Sequence, residues 1–125
     1  MTFLGFAVLG FAGAVGAWLR FSLERLLLLL FQTPAAWNVV LINTLGTFFL
    51  GVVSARLGLS SFWGMVLGIG FCGAFTTFSS WIARLYELVL QGRLKEVLFV
   101  ILASLIFGGA AFVLGVRAVY TFQKV

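Results

Sequence analysis

Hydroxyl side chains cluster inside an otherwise apolar part of the chain. The segment 70–81 reads GFCGAFTTFSSW and contains hydroxyls at Thr76, Thr77, Ser79 and Ser80. Uncharged O–H and N–H donors in an apolar setting can replace water around a small anion and still release it. The alternative is that these side chains bond back to carbonyls one turn earlier, as Ser and Thr often do.

Four further polar residues are candidates within apolar segments. Asn43 is the strongest single candidate, and Thr47 follows it by one helical turn on the same face. A buried amide needs a partner, so Asn43 indicates either a hydrated ion path or an interhelical hydrogen bond. Ser104 adds a hydroxyl at similar depth. Arg20 is either a positive charge at the mouth of an anion path or a side chain reaching lipid headgroups.

The elements that position these residues must lie in a membrane. Of 125 residues, 63% are hydrophobic and 9% charged, which is more apolar surface than a soluble fold of this size can bury. Uncharged stretches cover 1–19, 26–55, 57–83 and 97–116, and each is near or above the roughly 20 residues of a spanning helix.

We therefore predict an all-α membrane protein with one domain over 1–125. Its four transmembrane helices are expected at about 3–30, 36–56, 61–90 and 95–121. Pro34 suits the start of the second helix, where its missing N–H costs nothing. The glycines before Thr76 predict a break near the middle of the third helix, of the kind that turns carbonyls toward a ligand.

The composition excludes several function classes. The chain has no His, one Cys (Cys72) and three acidic residues, Glu24, Glu87 and Glu96, so hydrolytic and redox enzyme chemistry lacks its usual groups. The net charge of +5 comes from Lys and Arg scattered along the chain. This pattern indicates anchoring at lipid headgroups and gives no support for nucleic-acid binding.

Positive charge is almost equally divided between the two predicted membrane sides. The side of the termini would carry Arg56, Arg117, Lys124 and the amino terminus, and the other side Arg20, Arg25, Arg93 and Lys95. Because the distribution of Lys and Arg sets orientation, such a weak bias predicts dual topology. A dual-topology chain is expected to form an antiparallel dimer.

Three motifs together carry a family resemblance. They read GAWLRF at 16–21, NTLG at 43–46 and GAFTTFS at 73–79. In order and spacing they resemble the motifs of the Fluc (CrcB) fluoride channels. The resemblance covers the first three predicted helices, and chain length and helix number agree for the rest.

The resemblance implies a passive, fluoride-selective channel that exports fluoride across the prokaryotic cell membrane and confers fluoride resistance. It also implies an antiparallel homodimer with two pores and a structural sodium ion (Na+) at its centre, held by the backbone carbonyls of Gly73 and Thr76. The predicted fluoride site combines the resemblance with the hydroxyl cluster and comprises Asn43, Phe78, Ser104, Thr77, Ser79, Ser80, Trp81 and Arg20.

The chain also departs from the family pattern. It has Trp81 for a second pore phenylalanine, Arg84 for a glutamate, Val39 for a hydroxyl residue, Val100 for a tyrosine and Gly108 for a second serine. One alternative is therefore a scaffold subunit of a heterodimeric fluoride channel. Another is a small multidrug antiporter, although its proton coupling needs an ionisable group deep in the membrane, and the three glutamates are predicted near helix ends.

Overall fold

The computed structural model describes residues 2–122 and contains four helices long and apolar enough to cross a membrane. They are α1 (Phe3–Phe31), α2 (Ala35–Leu57), α3 (Phe62–Leu90) and α4 (Leu94–Phe122). The prediction of an all-α protein with four transmembrane helices is confirmed, with bounds within one or two residues of those expected. Lys124, which entered the charge count, lies outside the described residues.

Local signals explain where the helices begin and end. The Thr2 hydroxyl accepts a hydrogen bond from the Gly5 amide at the start of α1, and Gln32 ends this helix in the left-handed conformation (φ 49°). Pro34 directly precedes α2, as predicted. The Ser61 hydroxyl caps α3 by accepting from the Gly64 amide at 3.0 Å. The connections are therefore short and fixed by hydrogen bonds.

The backbone conformation of helix α3 changes along its length. Residues Met65–Cys72 form a π-helix, in which the Gly73 amide donates to the Gly68 carbonyl five residues back. After one α-helical turn the backbone becomes extended at Thr76 (φ −80°, ψ 158°), and the helix resumes at Ser79–Leu90. The predicted break in the third helix is confirmed and lies at 76–78. The π-helix before it was not predicted.

Helices α2 and α4 form the closest pair in the bundle, and their contact is reciprocal. A Cβ added at Gly51 of α2 would lie 2.3 Å from the Phe112 carbonyl oxygen of α4, and one at Gly115 of α4 would lie 2.2 Å from the Phe48 carbonyl oxygen of α2. Only glycine permits backbones to approach this closely. This is the small-residue packing expected of helices in lipid, where no hydrophobic force drives them together.

The two halves of α3 both contact α2 but differ in their other main neighbour. The first half lies against α1, where a Cβ at Gly16 would meet the Phe71 carbonyl oxygen at 2.4 Å. The second half packs on α2 and α4, and its Leu85 and Leu88 join Ala36, Val40 and Val100 in a buried cluster. The break at 76–78 therefore lies where the main neighbours of α3 change from α1 and α2 to α2 and α4.

Candidate anion-binding groove

Asn43 of α2 fixes the break in α3. Its Nδ2 donates to the Thr77 carbonyl oxygen at 2.9 Å, and its Oδ1 accepts from the Thr77 amide at 2.8 Å. The Thr77 N–H would bond to the Gly73 carbonyl in a continuous α-helix. The side-chain amide thus replaces a helical partner and satisfies backbone groups that have no water available at this depth.

Several hydroxyls bond back within their own helix. Thr76 donates to the Cys72 carbonyl at 3.0 Å, Thr47 to the Asn43 carbonyl at 2.8 Å, and Ser104 to the Val100 carbonyl at 2.7 Å. For Thr76, this bond is the alternative that was predicted for the hydroxyl cluster, and Thr47 and Ser104 bond in the same way.

Thr77 is bonded differently from the other hydroxyl residues. Its Oγ1 lies 3.2 Å from the Ser79 Oγ and 3.3 Å from the Ser80 Oγ, and it accepts the Ser80 amide at 3.2 Å. The Thr77 side chain therefore caps the second half of α3 by satisfying one of its first free N–H groups.

A groove of about 320 Å³ lies beside the break. Its lining comes from α2, α3 and α4 and comprises Asn43, Thr47, Thr76, Thr77, Phe78, Trp81, Ser104, Leu105 and Gly108. Phe78 is 72% exposed, and its ring centroid lies 5.4 Å from that of Trp81. None of these lining residues is ionisable, so the groove offers amide, hydroxyl and indole groups on an otherwise apolar wall.

The groove brings together most of the residues predicted from the sequence. Asn43, Thr76, Thr77, Phe78, Trp81 and Ser104 all line it. Arg20, Gly73, Ser79 and Ser80 do not. The Arg20 Nε is buried and has no hydrogen-bond partner among residues 2–122.

Two carbonyls at the break lack helical partners. Thr77 donates its amide to Asn43 and Ser80 donates its amide to the Thr77 hydroxyl, so within the described residues no backbone N–H bonds to the Gly73 or Thr76 carbonyl. Hard monovalent cations bind carbonyl oxygens of this kind. The two positions predicted to hold sodium therefore have suitable free donor atoms. Residues 2–122 contain no cluster of three or more His, Cys, Asp or Glu side chains that could hold a metal.

A charged cluster that the sequence analysis missed lies toward one end of the bundle. Arg84 of α3 donates to both carboxylate oxygens of Glu87 at 3.0 and 3.1 Å and to Glu24 of α1 at 3.5 Å. It lines two charged clefts of about 230 and 240 Å³. The available signals were the three-residue spacing of Arg84 and Glu87 and the position of Glu24 inside a long helix.

Two departures from the family pattern are deeply buried. Val39 and Val100 are each 1% exposed and do not line the groove. The polar lining of this chain is therefore confined to the region around the break. Gly108, a third departure, does line the groove and leaves its wall without a side chain.

Sequence comparison relates the chain to known proteins. Residues 7–116 match the family model described as "CrcB-like protein, Camphor Resistance (CrcB)". The chain is 34% identical over 112 residues to "Fluoride-specific ion channel FluC" of Shewanella amazonensis, covering 87% of this chain and 90% of that protein. It is 33% identical over 113 residues to "Fluoride-specific ion channel FluC 1" of Listeria monocytogenes, covering 90% and 94%. The chain is a multi-pass membrane protein that belongs to the CrcB-like family.

Proposed function

We propose that this protein is a fluoride-selective channel that lets fluoride leave the cell by passive diffusion and so confers fluoride resistance. The observation that carries the proposal is the groove beside the break in α3, which combines hydrogen-bond donors with an absence of ionisable groups among its lining residues. A small anion needs donors in place of its hydration shell, and weak, uncharged ones let it leave again. The relatives named above are fluoride-specific ion channels by name, not enzymes.

Several groove residues would together replace the hydration shell of fluoride. Asn43 keeps one amide N–H beyond the bond it donates to Thr77. Phe78 is exposed on the groove wall, and the edge of its ring carries the positive part of the aromatic quadrupole. A fluoride ion passing the break would therefore meet N–H and O–H donors and an aromatic edge.

A dimer would complete the pore. The groove is open along one side, where Phe78 exposes 72% of its surface, and an ion in lipid needs a wall there. A second copy of this chain in the opposite orientation is the proposed wall, since the even division of positive charge permits both orientations. The antiparallel homodimer with two pores is thus part of the proposal.

Sodium would have a structural role in this dimer. The free Gly73 and Thr76 carbonyls lie at the break, and a second copy would contribute two more. A sodium ion bound there would supply fixed positive charge and hold the two breaks together. The residues of this chain that would hold it are backbone groups, so side-chain substitutions would leave the ligands in place.

A heterodimer remains the second candidate, and one observation favours it. Val39 and Val100 occupy positions where the family pattern has polar residues, and both are buried in the apolar core. A partner chain with polar residues there would supply more of the pore, and this chain would supply more of the scaffold. A multidrug antiporter has less support, because the groove lining contains no ionisable residue for proton coupling.

Growth on fluoride tests the proposal in cells. The chain is produced alone in a fluoride-sensitive bacterial strain that lacks its own fluoride exporter. Restored growth in millimolar sodium fluoride, with no effect on growth in the same concentration of sodium chloride, is the expected result. Growth restored only when a second, related chain is produced with it would favour the heterodimer.

A further inference from the structure

Trp81 and Ser104 are joined by a hydrogen bond across the groove. The indole Nε1–H of Trp81, at the start of the second half of α3, donates to the Ser104 Oγ of α4 at 2.9 Å. Ser104 in turn donates its own proton to the Val100 carbonyl at 2.7 Å. The indole nitrogen can only donate and the Val100 carbonyl oxygen can only accept, so the direction of both bonds is fixed.

The other donors of the groove are mostly engaged with the backbone. Thr47 and Thr76 donate to carbonyls of their own helices, and the Asn43 amide donates one N–H to the Thr77 carbonyl. Two donors differ, because each has a side-chain hydroxyl as its acceptor: the Thr77 hydroxyl, which bonds to Ser80, and the indole N–H of Trp81. If the indole N–H leaves Ser104, every backbone carbonyl keeps its hydrogen-bond donor, and Ser104 still donates to the Val100 carbonyl.

We infer that Trp81 is a direct hydrogen-bond donor to fluoride and that Ser104 accepts the indole N–H of Trp81 while no ion is present. The ion takes the place of the Ser104 oxygen as the acceptor, and Ser104 takes the N–H back when the ion leaves. The inference rests on the proposed function and assigns a specific role to one groove residue. A phenylalanine at position 81 would supply the ring without the donor.

Fluoride is the anion that gains most from such a donor. Hydrogen bonds to a charged acceptor are roughly twice as strong as bonds between neutral groups. Fluoride is small and accepts strongly, whereas a larger halide spreads its charge and gains less. The exchange of a neutral hydroxyl acceptor for fluoride therefore offsets part of the hydration that the ion loses, and we expect Trp81 to contribute to selectivity as well as to binding.

Three variants separate this role from a structural one. Trp81→Phe removes the donor and keeps a ring, and fluoride efflux from liposomes is expected to fall by about tenfold or more. Ser104→Ala removes the hydroxyl that accepts the indole N–H and leaves the indole donor in place, so efflux is expected to fall less than in Trp81→Phe. Trp63→Phe is the matched control, because Trp63 is 58% exposed, lies outside the groove and loses the same N–H.

The pattern of these rates decides between the interpretations. If the Trp81–Ser104 bond only braces α3 against α4, Trp81→Phe and Ser104→Ala will lose efflux to the same extent. If Ser104 is the ligand, Ser104→Ala will fall and Trp81→Phe will not. Either pattern overturns the inference.

A spectroscopic measurement on the unaltered protein does not depend on flux. The chain has four tryptophans, and the ¹⁵N-indole resonance of Trp81 is identified by its absence from Trp81→Phe or from a Trp81→Tyr sample. Adding sodium fluoride should shift this indole proton downfield, and sodium chloride should not. An unmoved resonance in protein that passes fluoride would overturn the inference and leave the channel function intact. A fluoride-specific shift without transport would uphold binding and contradict the proposed function.

Discussion

The side-chain amide of Asn43 pairs with both backbone polar groups of Thr77, through bonds of 2.9 and 2.8 Å that join positions 34 residues apart. Two bonds of this kind imitate the pairing of two peptide groups. Asn43 therefore holds α3 open at its break and, with its remaining N–H, faces the groove that the break creates. Fold and proposed function depend on the same side chain.

Replacing Asn43 with Asp should abolish fluoride transport. The substitution removes the donor to the Thr77 carbonyl and places a negative charge beside the ion path, where like charges about 4 Å apart repel by about 4 kcal/mol at an intermediate dielectric constant. We expect efflux from liposomes to fall by about a hundredfold or more. Asn43→Ala is the comparison, since it removes both bonds without adding charge. Undiminished efflux in Asn43→Asp would exclude Asn43 from the pore.

Gly46→Ala should disturb the break without touching a polar group. The added Cβ would lie 2.4 Å from the Thr76 Cγ2 and 3.0 Å from the Phe75 Cδ1, and overpacking of this kind costs about 1–3 kcal/mol. We expect a lower thermal unfolding temperature and slower efflux. The double variant Gly46→Ala/Thr76→Ser lacks the Cγ2 methyl and should recover part of both. A double variant no better than Gly46→Ala would contradict the packing explanation.

The bond between Arg84 and Glu24 should stabilise the contact between α1 and the second half of α3. Their side chains are 32% and 15% exposed, so loss of one partner leaves a partly buried charge. A double-mutant cycle with Arg84→Gln and Glu24→Gln should give a coupling free energy of about 1 kcal/mol, reduced by the partial exposure of Arg84.

Arg93 and Glu96 provide the matched control for this cycle. The Arg93 Nη2 and the Glu96 Oε2 are 2.6 Å apart, but the two side chains are 46% and 42% exposed. Exposed ion pairs of this kind contribute less than about 0.5 kcal/mol to stability. Thermal unfolding of the detergent-solubilised protein measures both cycles. A coupling as large for Arg93–Glu96 as for Arg84–Glu24 would show that burial is not what strengthens the α1–α3 bond.

Dual topology predicts that one loop is reached from both sides of the membrane. Lys95 follows the turn between α3 and α4, and Lys95→Cys in a Cys72→Ala background gives a single thiol. A membrane-impermeant thiol reagent added outside intact cells should label about half of the molecules, and lysis should expose the remainder. Labelling of all molecules or of none before lysis would mean a single orientation.

Much of the fold followed from the sequence for a simple physical reason. Long uncharged stretches have one stable form in lipid, which is a helix, and charged or turn-forming residues such as Arg56, Pro34 and Gly92 mark where each helix stops. The break in α3 was predictable because glycines and hydroxyls weaken a helix at Thr76. The π-helix at Met65–Cys72 was not predictable, since its hydrogen bonds depend on how the first half of α3 lies against α1.

The candidate site was predicted in part. Residue type was enough to select Asn43, Thr77 and Ser104, because amides and hydroxyls are rare and need partners in apolar segments. Their partners could not be read from the sequence. The Asn43–Thr77 pairing and the Trp81–Ser104 bond both join residues on different helices and depend on the packing of α2, α3 and α4. The Asn38–Thr33 side-chain bond, which ties α2 to its preceding turn, was missed because Asn38 lies near a helix end.

The most direct test of the proposed function is fluoride efflux from liposomes that contain the purified chain alone, with a potassium ionophore to balance charge. A fluoride electrode follows release, and chloride-loaded liposomes serve as the control. We predict rapid fluoride release without chloride release, which requires a selective pore built from this chain only. Absence of fluoride release from well-folded protein, or equal release of chloride, would contradict a self-sufficient fluoride channel.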